Sequence, residues 1–104
     1  MVVAAAERWA RDLAAERPAV VAVGHFGSTV RGRFGVGSDL DLVVLLSDSG
    51  VPFERRAAGF DVTRLPVPAD LLVYTTAEWD ALAGRHPPAG PLGPVRWVVD
   101  RRRA

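Results

Sequence analysis

The segment Leu40–Leu46, Leu-Asp-Leu-Val-Val-Leu-Leu, is the feature of this sequence that most restricts its fold. After its first residues, apolar side chains occupy both faces of the segment, and a strand of this kind needs protein against both sides. The polar and glycine residues at Ser47–Gly50 end it. The pattern therefore predicts a buried strand of a sheet.

Helices and further strands are predicted on both sides of this strand. Apolar residues with helical spacing run from Val2 to Arg17, where Pro18 ends the helix. Thr75-Thr76-Ala77-Glu78 matches a capping box, which occupies Glu78 and predicts a helix from about Thr76 to Ala83. The other predicted elements are a strand at Val20–Phe26, a turn or short helix at Gly27–Gly37, a short helix at Pro52–Ala58, a strand at Asp70–Tyr74 and an edge strand at Val95–Asp100. This order predicts the α/β (α+β) class, with helices on a mixed sheet of about four strands.

Length and composition exclude several classes of protein. The 104 residues suit one domain, spanning residues 1–104. The absence of cysteine excludes disulfide frameworks, thiolate zinc sites and cysteine nucleophiles. Because there is no membrane-length apolar run and no recognisable signal peptide, we expect a cytoplasmic protein without a membrane partner. The net charge of +1 and dispersed arginines do not indicate nucleic-acid binding, and Arg101–Arg103 is predicted to be a solvated tail rather than a weak anion site.

Two carboxylates stand at the beginning of the buried strand. Asp39 and Asp41 are two positions apart, so on a strand they project to the same face. Carboxylates this close repel each other unless a cation lies between them. Mg²⁺ fits such a pair because it takes hard oxygen ligands together with substrate phosphates.

Gly27-Ser28 follows the first predicted strand and opens a turn or helix. Glycine permits close approach of the backbone to a ligand, exposed N–H groups at a helix start favour phosphate, and Ser28 adds a hydroxyl donor. Ser28 is equally suited to cap a helix, and the two roles are compatible. If the first two strands are antiparallel, this turn lies beside Asp39 and Asp41, which suggests a site for a metal and a nucleotide.

Asp70 is the predicted third carboxylate. Like Asp41, it enters an apolar strand, and a right-handed crossover would make the two strands parallel, with both starts at one sheet edge. Asp61 is the alternative, but Leu65-Pro66-Val67-Pro68 separates it from that strand. Three carboxylates at one edge could hold two metal ions.

This pattern resembles the nucleotidyltransferase superfamily with the DNA-polymerase-β type of catalytic fold. Gly27-Ser28, ten intervening residues and Asp39-Leu40-Asp41 match its signature without an insertion. The form Gly-Ser-x-x-Arg-Gly at Gly27–Gly32 is most similar to the minimal nucleotidyltransferases of bacteria and archaea. The resemblance implies transfer of a nucleoside monophosphate, AMP from ATP, to an acceptor hydroxyl with release of pyrophosphate.

The resemblance also implies roles for the residues. Asp39 and Asp41 would hold Mg²⁺ on the triphosphate, Gly27 and Ser28 would hold its distal phosphates, and Asp70 would help to bind a second ion and activate the acceptor. Arg31 would contact nucleotide phosphates or brace the acidic cluster by a salt bridge, and the sequence does not choose between these roles.

Relatives of this kind are often encoded beside a small helical protein of the HEPN type and act as the antitoxin of a toxin–antitoxin pair, with a tyrosine of the toxin as acceptor. The resemblance therefore implies an ATP-dependent protein adenylyltransferase with a HEPN-type partner. Two alternatives stay open. One is a binding module that neutralises its partner by contact, and the other is an enzyme that modifies a small-molecule hydroxyl, although the short chain leaves no second domain for such an acceptor.

Several histidine and tryptophan side chains are predicted to have structural roles or to be exposed, without a part in the chemistry. His25 and His86 have no partner histidine at metal-ligand spacing, so each is expected to be structural or exposed. Trp9 fits the core stripe of the first helix. Trp79 and Trp97 are favoured for packing or for a protein interface over stacking on a base.

Overall fold

A computed structural model describes residues 2–27, 40–85 and 94–102. The helices in these ranges are α1 (Val2–Glu16), α2 (Phe53–Arg56), a 3₁₀ helix (Ala57–Gly59) and α3 (Thr76–Arg85), and the strands are β1 (Val20–Phe26), β2 (Leu40–Leu46), β3 (Ala69–Thr75) and β4 (Val95–Asp100). The predicted strands and helices in these ranges are confirmed, with ends that differ by one or two residues. The predicted turn at Gly27–Gly37 lies almost wholly outside the described residues.

The four described strands form one mixed sheet in the order β3-β2-β1-β4. β1 pairs antiparallel with both β2 and β4, while β2 and β3 are parallel. The parallel pair follows from the crossover through α2, because strands connected in this way run in the same direction. The predicted fold class, the interior position of β2 and the edge position of β4 are therefore confirmed.

The two faces of the sheet carry separate apolar clusters. On one face, α1 and the segment between α2 and β3 cover β2 residues such as Leu42 and Val44. On the other face, Trp79 of α3 packs with Val43 and Leu45. We call the second face the α3 face. Alternation of side chains along β2 explains why an unbroken apolar run serves both clusters.

The capping box at the start of α3 is confirmed and extends into an ion pair. Thr75 Oγ1 accepts a hydrogen bond from the Glu78 N–H at 3.2 Å, and the Glu78 carboxylate accepts one from the Thr75 N–H at 2.8 Å. The same carboxylate binds both terminal nitrogens of Arg56, at 2.6 and 3.1 Å. Arg56 also donates to the carbonyls of Val51 and Val73. The Arg56–Glu78 pair therefore ties α2 to β3 and α3.

Two local predictions are wrong. The helix α3 continues to Arg85 instead of ending at Ala83, since Gly84 keeps a helical conformation and does not end the helix. The run Arg101–Arg103 is not a free tail in its described part: Arg101 is exposed but its guanidinium donates to the carbonyl of Ala14, and Arg102 forms an ion pair with Asp100 at 2.8 Å. Arg103 lies outside the described residues. Sequence alone did not show that these arginines, which directly follow the predicted edge strand, reach acceptors on β4 and on α1.

None of the helices in the described ranges has the length and hydropathy needed to cross a bilayer.

Candidate active site

Four residues form a row across the sheet at the edge where β2 and β3 begin. Asp41 is the register partner of Asp70 on one side and of Phe26 on the other, and Phe26 is the partner of Val95. Side chains at paired positions share a face. The row therefore runs Asp70, Asp41, Phe26, Val95 on the α3 face, and its two carboxylates are on strands about 4.8 Å apart.

Asp41 and Asp70 differ in their surroundings. Asp41 is half-buried between its two neighbouring strands, whereas Asp70 is exposed at the start of the edge strand β3. The prediction that Asp41 and Asp70 meet at one sheet edge is thus confirmed, and the pair leaves an accessible carboxylate facing outward.

Gly27 closes the site from the end of β1. Its φ is +74°, a left-handed conformation that favours glycine. A β-carbon at this position would lie 2.5 Å from Oδ2 of Asp41, closer than real contacts allow. The backbone of Gly27 therefore lies directly against the Asp41 carboxylate.

The residues present fit a divalent metal. Asp41 and Asp70 supply hard oxygen donors on adjacent strands, and the absence of a side chain at Gly27 lets the Asp41 carboxylate lie against the backbone at the end of β1. No cluster of three or more His, Asp or Glu residues suited to a metal occurs within the described ranges. Asp39, Ser28 and Arg31, predicted as ligand and nucleotide-binding residues, lie outside those ranges, as does His86.

Asp61, the alternative third carboxylate, is elsewhere. Its carboxylate accepts hydrogen bonds from the hydroxyl and the N–H of Thr63, at 2.5 and 2.9 Å, which hold the pKa of Asp61 below its ordinary value. Its carbonyl accepts a hydrogen bond from the Trp9 indole of α1. Asp61 therefore organises the loop before β3 on the α1 side of the sheet.

His25 is buried, in agreement with its predicted structural role. It shares the face of Val23, toward α1, and is only 1% exposed. Burial lowers the pKa of His25, the charge of Arg96 lowers it further, and Glu7 of α1 acts in the opposite direction.

The two tryptophans of the α3 face, Trp79 and Trp97, pack within its apolar cluster. Trp79 is 6% exposed, which confirms packing, the first of its two predicted roles. Its ring contacts Tyr74 and Trp97 in edge-to-face geometry, with centroids 5.6 Å apart in both pairs. Trp97 is half-buried and carries the Arg102 guanidinium 4.4 Å from its ring centroid.

Sequence reasoning missed Phe26 as a member of the row. The position of Phe26 directly before Gly27 could have indicated that it lies near the site. Only the pairing of β1 with β2, however, places Phe26 beside Asp41.

Comparison with known proteins shows the family to which the chain belongs. The family model of the nucleotidyltransferase domain matches residues 7–88, a range that includes Gly27, Asp41 and Asp70. The chain belongs to the nucleotidyltransferase domain family. Members of this family transfer nucleotidyl groups and generally use a nucleoside triphosphate with a divalent metal.

A solved structure agrees with the fold of this nucleotidyltransferase domain. A protein of Sulfolobus solfataricus assigned as a nucleotidyltransferase is 21% identical and superposes with a TM-score of 0.62 over 77% of this chain and 72% of that chain. No curated protein sequence matches the chain significantly.

Proposed function

We propose that this nucleotidyltransferase moves AMP from ATP to an acceptor hydroxyl at the edge formed by Gly27, Asp41 and Asp70. The observation that carries the proposal is the register of β2 and β3, which pairs Asp41 with Asp70 directly beside the glycine turn. This arrangement juxtaposes oxygen donors for a metal with a backbone that a phosphate can approach. The compartment that we expect is the cytoplasm.

Asp41 and Asp70, together with Asp39, would hold Mg²⁺, with two ions expected. When bound, the metal neutralises charge on the phosphates and aligns the attacking and leaving oxygens. Gly27 and Ser28 would hold the distal phosphates through backbone N–H groups and the serine hydroxyl. Arg31 would contact the triphosphate or brace the acidic cluster.

Asp70 is suited to face the acceptor because it is exposed on an edge strand. In the proposed reaction the acceptor oxygen forms a bond to the α-phosphorus, and the bond from that phosphorus to the leaving oxygen breaks. Pyrophosphate leaves, and the hydroxyl proton passes to the Asp70 carboxylate or to water. Asp41, half-buried between two strands, would orient the triphosphate.

The acceptor that we propose is a tyrosine of a small helical HEPN-type partner, so that the chain acts as a protein adenylyltransferase and as the antitoxin of a pair. The resemblance at Gly27–Gly32 and at Asp39–Asp41 supports this proposal. In this role, AMP on the tyrosine would add negative charge to the toxin and block its action.

Transfer of labelled phosphate tests the proposal. The purified protein is incubated with Mg²⁺, the product of the neighbouring gene and ATP labelled at the α-phosphate, and the same mixture is run with label at the γ-phosphate. We expect the α-label, but not the γ-label, to appear on a partner tyrosine, and to be lost with Asp41→Asn. Partner inhibition without label would instead support the contact-only module, and a labelled small molecule would support the third alternative.

A further inference from the structure

Next to the carboxylates, the α3 face carries a strip of apolar side chains that the proposed reaction does not yet use. The strip consists of Phe26, Val95 and Trp97, all half-buried. Phe26 is the register partner of Asp41, and Val95 is the register partner of Phe26. The strip therefore continues the row from the metal-binding end toward the edge strand β4.

The backbone at Gly24 shapes this strip. A β-carbon there would lie 2.8 Å from Cγ1 of Val95 and 2.9 Å from Cε3 of Trp97. Both side chains of β4 therefore lie across the bare backbone of β1, behind Phe26. Trp97 is further held by the edge-on Trp79 ring and by Arg102. The strip is thus a preformed surface, not a set of independent side chains.

We infer that the strip receives the nucleoside of the substrate, with the Phe26 ring against the base or ribose. Strands lie about 4.8 Å apart, so the row spans roughly 10 Å from Asp41 to Val95. That span suits a nucleoside monophosphate whose phosphate is at Asp41. Aromatic rings stack on nucleobases with little dependence on the identity of the base, so the strip needs no hydrogen-bonding side chain of its own to hold one. The inference rests on the proposed function, because it assigns one part of the same substrate.

The test separates the nucleoside from the phosphates. Titration calorimetry in Mg²⁺ compares ATP with inorganic tripolyphosphate, which carries the same phosphate chain without a nucleoside. Phe26→Leu keeps an apolar side chain for the α3-face cluster but removes the ring, and Phe26→Tyr restores a ring. Phe60→Leu is the matched control, since Phe60 packs against the cluster on the α1 side.

We expect wild type to bind ATP more tightly than tripolyphosphate. Phe26→Leu should weaken ATP binding about tenfold, the lower end of the effect of removing a stacking ring, and leave tripolyphosphate binding unchanged. Phe26→Tyr and Phe60→Leu should retain the affinity of wild type for ATP. In the NMR spectrum, the adenine ring protons should shift upfield on binding to wild type and less on binding to Phe26→Leu.

Two results would overturn the inference while leaving the proposed function standing: equal affinity of wild type for ATP and tripolyphosphate, or an equal change in both affinities with Phe26→Leu. If neither ligand binds wild type, the proposed function itself fails, and the inference with it. Circular dichroism of each variant shows whether its fold is retained. If Phe26→Leu does not fold, unshifted adenine protons in the wild-type complex overturn the inference.

Discussion

The α-carbon of Gly27 faces the carboxylate of Asp41 so closely that even a methyl group would overlap Oδ2. This relationship joins the end of β1 to the start of β2, and it makes Gly27 necessary for two reasons: its positive φ and the proximity of the carboxylate. The close approach of the Gly27 backbone to Asp41 supports the proposed role of Gly27 in holding phosphate beside a metal.

Gly27→Ala should therefore lose Mg²⁺-dependent ATP binding and lower the free energy of unfolding by about 1–2 kcal/mol, the cost of a left-handed conformation for a non-glycine residue. Calorimetry and urea denaturation measure the two effects. Gly84→Ala is the control: it lies in α3 with open space around it, so alanine should stabilise the protein by about 1 kcal/mol and leave ATP binding intact. Normal ATP binding by Gly27→Ala would contradict the assignment of this turn.

The two paired carboxylates should differ in their effects. Asp41→Asn should abolish transfer and preserve the fold, because it removes one of two adjacent negative charges. Asp70→Asn should keep ATP affinity within about tenfold and lose transfer, because an exposed carboxylate at the acceptor side acts mainly in the reaction step. Binding isotherms and labelling rates for the same preparations separate the two effects.

Asp61→Asn is the matched control for Asp70→Asn, since Asp61 is a carboxylate of the loop that precedes β3. It should retain both ATP binding and transfer. An inactive Asp61→Asn with an active Asp70→Asn would reverse the assignment of the third carboxylate.

Removal of divalent metal should abolish transfer without unfolding the chain. Both core clusters are built from apolar side chains, so the fold does not depend on a metal at the sheet edge. Chelation followed by labelling and circular dichroism tests this expectation, and Mg²⁺ added in excess should restore labelling. Loss of secondary structure on chelation would show that the metal is structural.

The Arg56–Glu78 pair should make stability depend on acidic pH. Hydrogen bonds from Arg56, followed by the one from the Thr75 N–H, lower the pKa of Glu78 from 4.5 to about 2. Because the pKa is lower in the folded chain, the stabilisation is complete above about pH 4.5 and is lost as the pH falls toward 2. The Glu78 side chain is 42% exposed, so solvent screening reduces the effect to about 1 kcal/mol.

Urea denaturation of wild type and Glu78→Gln between pH 2 and pH 7 measures this dependence. The difference between the two proteins isolates Glu78 from other carboxylates whose pKa is lowered, such as Asp100. We expect the difference in unfolding free energy to shrink as the pH falls. A difference that is constant with pH would contradict the ion pair as its source.

The sequence by itself determined the local elements and predicted the residues of the candidate site. The strand at Leu40–Leu46, the capping box at Thr75 and Glu78, and the spacing from Gly27 to Asp41 are all read within short windows, where side-chain periodicity and backbone preference decide the structure. The position of Asp70 beside Asp41 was also predictable from sequence, because Asp70 enters its strand as Asp41 does and the crossover makes the two strands parallel.

Only the tertiary structure decided which side chains meet across strands. A shift of one residue in register moves every side chain of a strand to the opposite face, and no local pattern distinguishes the two registers at the end of β1. The register placed Phe26 beside Asp41, whereas the packing of α2 and α3 on the sheet buried Trp79 and brought Arg56 to Glu78. These contacts join residues far apart in the chain, so they depend on how whole elements pack and not on the residues next to each position.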